Sequence, residues 1–371
     1  MMNRYNETGT IINFSARTYM NHKCICTYAS DDEKLHAIID DYGVMYSPDG
    51  KRLLDTVRQL KHYEVPEGVE VIGDGAFCFS GLESIKLPDS LLAIGCNAFG
   101  NTRLTALTIP RNVRHIAPVN PIATNQLLLD KFECLSPYFK VVKGILYSKD
   151  NVIFYGAVTE DYPEELEILE GVKAIANGAM SHRAHLRSVS IPDSVTVMGD
   201  GAFHCSGVKK VKLSKNIDRI PAECFYDCRL EVFIVPEGVV NVDDSALGHN
   251  DNLITVIFPK TLKNMGYNVF SGCPSLTRIS GPRKSNFMNL KDMQKAGLRK
   301  GVRSTRENCI IDSYDSSMEG VTMHLHNKAI RLQASILKVT SPPPSSKVKE
   351  RSLLFSAFNA SSSDLTSLRM F

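Results

Sequence analysis

The residues best suited to chemistry in this chain of 371 are its ten cysteines and ten histidines. Cys224-x-x-x-Cys228 is half of a zinc site, but a tetrahedral thiolate centre needs a second pair and none follows at matching spacing. Cys24-x-Cys26 has the wrong spacing for a zinc knuckle. Cys205, Cys228 and Cys273 each follow an alanine–aromatic type of step by two or three residues, and Cys224 replaces the alanine of one such step. All four are expected as small apolar residues that pack a half-buried turn. His182 and His185 share a turn that is expected to face water. His324-x-His326 would lie on one face of a strand, without a third ligand. No G-x-S-x-G, no H-E-x-x-H and no phosphate-cradling glycine loop occurs. The residues therefore predict no catalytic site, no metal and no cofactor.

The elements that carry these residues repeat. "IPDSVTVMGDGAF" (191–203) has near copies in "LPDSLLAIGCNAF" (87–99) and "VPEGVEVIGDGAF" (65–77). Pro66, Pro88 and Pro110 are 22 residues apart, as are Pro192, Ser214 and Pro236. Each unit carries the frame L-x-x-L-x-L-P, as in Leu82/Ile85/Leu87, Leu104/Leu107/Ile109 and Leu230/Phe233/Val235. Alternation at the last two apolar positions predicts a strand with one buried face. The proline after it lacks an N–H and ends the ladder. A short helical or irregular turn then carries the alanine–aromatic step, such as Ala202-Phe203, into the core. One unit cannot bury enough apolar surface to stand alone, so the units must stack.

The pattern I/L-P-x-S/G-V/L-x-x-I-G-x-x-A-F-x-x-C-x-x-L resembles the BspA-like leucine-rich repeat family, closest at 65–110, 168–236 and 256–276. "GVMYSPDGKRLL" (43–54) and "GILYSKDNVIFY" (144–155) look like the hairpins that such proteins insert between repeats, with Asp49-Gly50 and Asp150-Asn151 suited to the tight turns. The resemblance implies a leucine-rich-repeat solenoid, mostly β with short helical turns and curved right-handed. It also implies a surface protein that binds proteins or matrix and lacks catalysis.

The expected organisation is an N-terminal segment (1–35), a solenoid (36–282), a basic appendage (283–340) that contains a strand pair, and a disordered Ser/Pro-rich tail (341–371). Residues 283–371 hold 15 Lys/Arg against 7 Asp/Glu, whereas the whole chain is only +3. The cluster Lys295, Arg299, Lys300, Arg303 and Arg306 could meet a phosphate backbone but lacks interleaved aromatics. Partner binding is instead assigned to the outward strand positions. Reading down the stack, these turn from small and polar to basic at Lys210/Lys212, then apolar at Val232/Ile234 and Thr255/Ile257. The partner is expected to be a protein, with nucleic acid at the basic region as the alternative. No stretch approaches a membrane span, and no signal peptide is visible, so the expected location is cytoplasmic, with the cell surface as the family alternative.

Overall fold

The computed structural model describes residues 25–119 and 129–281, together with the strands Arg303–Ser304, Cys309–Ser313 and Thr322–Leu325. The chain divides into two units, Met1–Ser304 and Thr305–Phe371. In the second, Cys309–Ser313 and Thr322–Leu325 pair antiparallel. The basic cluster, His326 and the Ser/Pro-rich tail lie outside the residues whose side chains are described. No helix among the described residues is long and apolar enough to cross a membrane.

The first unit is a mostly β solenoid built from two kinds of parallel ladder. One is made of the frame strands. Glu165–Glu167, Ser188–Ser190 and Lys210–Lys212 pair in register, as do Val232–Ile234, Thr255–Ile257 and Arg278–Ser280. Arg303–Ser304 pairs with Arg278–Ser280, so the ladder continues past residue 282. The other ladder joins short strands such as Val71–Ile72, Ala93–Ile94 and His115–Ile116. Antiparallel hairpins, Met45–Tyr46 with Arg52–Asp55 and Ile145–Ser148 with Ile153–Ala157, feed this second ladder. Each hairpin turn is tied by a serine hydroxyl that donates to an aspartate, Ser47 to Asp49 at 2.6 Å and Ser148 to Asp150 at 2.7 Å.

The core is a stack of equivalent residues. Ala76, Phe77, Ala98, Phe99, Ala202 and Phe203 are all buried. The turns that carry them are not helical, which differs from expectation. The α-helix of the described residues is Asp31–Leu35, capped by Ser30. Two positions in each turn instead take a left-handed φ, as at Gly201 (60°) and Cys205 (53°) or Glu223 (53°) and Asp227 (50°). Left-handed residues interrupt any right-handed helical run. Between them the backbone runs beside the next turn and donates from alternate residues, Gly201 to Ala222, Phe203 to Cys224 and Cys205 to Tyr226, at 2.8–2.9 Å.

The glycine before this turn serves a close approach rather than a special φ. A Cβ on Gly199 would lie 2.4 Å from the backbone nitrogen of Asn177, one turn back.

Candidate functional site

The frame ladder presents its alternate side chains to solvent, and their order sorts charge. Glu165 and Glu167 are exposed, Ser188 and Ser190 are half-buried, and Lys210 and Lys212 are exposed. Glu165, Ser188 and Lys210 are in register, and so are Glu167, Ser190 and Lys212. The serine rung thus holds acids and lysines two strand spacings apart, roughly 10 Å, too far for ion pairing. Among the described residues neither Lys210 nor Lys212 forms a salt bridge. Nearer the N-terminus the same face behaves differently. There Glu64 and Lys86 sit on adjacent strands and pair at 2.5 Å.

The apolar rungs follow. Val232 is 42% exposed, Ile234 and Thr255 are half-buried, but Ile257 is only 4% exposed. The expectation that Ile257 projects into solvent is therefore corrected. It lies in register between Ile234 and Ser280, and Ser280 is itself buried.

The turns on the edge of the stack gather a second set of residues. Cys228 and Cys273 occupy the buried position three residues after the aromatic step, where their thiols donate to Phe203 and Leu247 carbonyls at 3.1 and 3.2 Å. Ser80 and Thr102 hold the same position in earlier turns, where their hydroxyls donate to the Phe77 and Phe99 carbonyls of their own turn. These are packing residues, as expected, and Cys224 is likewise buried. Cys205 is not. It stands one position earlier, in the left-handed column, only half-buried, with its thiol donating to Asp227 at 3.4 Å. Burial and the Asp227 carboxylate push the Cys205 thiol up to about 12.

Cys205 has histidines for neighbours. One potential ligand atom each from His182, His204 and Cys205 lies within 4.8 Å of the others. His204 Nε2 is 3.9 Å from Cys205 Sγ and 3.8 Å from Glu223 Oε2. The His204 ring stacks on Tyr226 with planes 5° apart, and His182 meets it edge-on. Burial first, then His204, lowers the pKa of His182. His185, paired with His182 in the sequence reading, is exposed and takes no part. The missed signal was a spacing of one repeat, which places Cys205 one turn beyond His182 and Asp227 one turn beyond Cys205 at the same left-handed position.

A model of the BspA type leucine rich repeat region matches residues 51–119, 160–254 and 219–333, in six copies. The chain belongs to the BspA-type leucine-rich repeat family. Among solved structures this BspA-type solenoid is similar to a leucine rich cell surface protein from Faecalibacterium prausnitzii A2-165. The identity is 27%, over 66% of this chain and 64% of that one, with a TM-score of 0.53. It also shares its fold with the pneumococcal vaccine antigen PcpA, at 21% identity over 66% of this chain and 62% of that one, with a TM-score of 0.53. The BspA-type chain thus spans a little under two thirds of the length of each. No curated protein matches the sequence.

Proposed function

We propose that the solenoid is a non-catalytic scaffold that binds a protein partner through the frame-strand face, with Lys210, Lys212, Val232, Ile234 and Thr255 in contact. The observation that carries this is the serine rung. It sets Glu165 and Glu167 on one side and Lys210 and Lys212 on the other, with no salt bridge to any of the four among the described residues, beside the exposed Val232. Charges left unpaired on a rigid, regularly spaced surface are available to a complementary surface, and they steer its approach. The neighbouring apolar rung supplies the desolvated anchor. A role on the cell surface is the setting that the Faecalibacterium relative supports.

The test is capture of partners by the immobilised full chain and by a K210E/K212E variant, at low and high salt. A specific partner retained by the parent and lost by the variant at low salt is the expected result. Equal capture by both proteins would move the site off this face.

A further inference from the structure

We propose that His182, His204, Cys205 and Asp227 hold a zinc ion that ties three successive turns of the solenoid together. The geometry comes first. A zinc tetrahedron with bonds of 2.0–2.3 Å has edges of about 3.3–3.8 Å. Cys205 Sγ is 3.4 Å from Asp227 Oδ2 and 3.9 Å from His204 Nε2, close to those edges already. The potential ligand atoms of His182, His204 and Cys205 all fall within 4.8 Å of one another, so closing these three edges asks for a contraction of about 1 Å, while Asp227, at hydrogen-bond distance from Cys205, must turn its carboxylate towards the histidines to complete the tetrahedron.

The frame around the ligands is held independently of any ion. His182 N–H donates to His204 O, Cys205 N–H to Tyr226 O and Asp227 N–H to Gly248 O, each at 2.8 Å. These bonds lock each ligand's backbone to the next turn. Stacking on Tyr226 sets the plane of the His204 ring. His182, Cys205 and Asp227 share the left-handed column on consecutive turns, with φ of 60°, 53° and 50°.

The donor set names the cation. Two imidazoles, a thiolate and one carboxylate suit zinc, whereas calcium and magnesium take oxygen ligands. Four protein ligands leave no open position, which is the arrangement of a structural site rather than a catalytic one. Thiolate and carboxylate together balance the two charges of the ion. In the metal-free protein the Cys205 S–H donates to Asp227. On binding, the S–H bond gives way to an S–Zn bond and the proton leaves to solvent.

The full chain, stripped by a chelator and dialysed, would be titrated with Zn²⁺ by calorimetry and with Co²⁺ by absorption. The expected result is one tightly bound equivalent, a thiolate-to-cobalt charge-transfer band, and a melting temperature raised by zinc. Cys205→Ser removes the band and the thermal shift, while His182→Gln and Asp227→Asn each weaken zinc binding at least about tenfold. Cys26→Ser, at an exposed thiol away from the cluster, leaves both unchanged. Should Cys205→Ser fail to fold by circular dichroism, His182→Gln and Asp227→Asn carry the test. A cobalt spectrum without the thiolate band would overturn the proposal, as would parental zinc affinity in the folded variants.

Discussion

Phe203 lies face to face with Phe225 one turn along, their ring centroids 5.2 Å apart and their planes 2° from parallel. Phe77 and Phe99 repeat the arrangement at 5.7 Å. The stack is the physical content of the repeated alanine–aromatic step, because each ring forms part of the floor for its neighbour. Phe203→Ala opens a cavity shared by adjacent turns and is expected to cost about 3–5 kcal/mol. Chemical denaturation of parent and variant measures it. A variant that unfolds at the parent's midpoint would contradict the inward assignment.

Gly199 makes a separate prediction. Its φ is not left-handed, so alanine is acceptable to its backbone, yet the new Cβ would meet Asn177 nitrogen at 2.4 Å. Gly199→Ala is expected to destabilise by about 1–3 kcal/mol through overpacking alone. Gly95 against Asp74 and Gly266 against Asp244 are equivalent sites and should respond alike in thermal melts.

The buried thiols and phenols set the response to alkali. Burial pushes Cys228 up to about 12 from its ordinary value of 9.0, and Tyr46 up to about 12 from 10.0. Between the ordinary and the raised values the folded protein keeps protons that the unfolded chain releases. Stability therefore falls as pH rises from about 9 towards 12. Arg183, lowered to about 10 by burial, works in the opposite direction above that pH. Thermal melts across this range should show the decline, and Cys228→Ala should make it shallower. A decline unchanged by Cys228→Ala would show that this thiol is not the source.

The fold was legible because its signal is redundant. The spacing of 22 residues and the frame L-x-x-L-x-L-P recur until strand, core step and stacking direction are all determined. The turns were less legible. Residues as different as Asn101, His182, Cys205 and Asp227 share one left-handed position, so no composition marks it. Cys205 and Cys228 are a further instance. Both follow a Phe step closely, but a difference of one position sends Cys228 inward to a carbonyl and Cys205 outward to His204 and Asp227. Pairs within one segment, such as His182 with His185, were the wrong comparison. In a solenoid the spatial neighbour lies one repeat away. Ile257 failed for another reason, since alternation along a strand assigns a face but not whether water reaches it.

The proposed role of the frame-strand face as a binding surface is open to direct test. The most direct measurement is the affinity of the captured partner for the parent and for a V232S/I234S variant whose circular dichroism matches the parent. Val232 and Ile234 project from a strand whose Phe233 holds the core, so the fold should survive the change. The expected loss is at least about thirtyfold, the equivalent of ~2 kcal/mol for a desolvated apolar anchor. A folded variant that binds as tightly as the parent would contradict it.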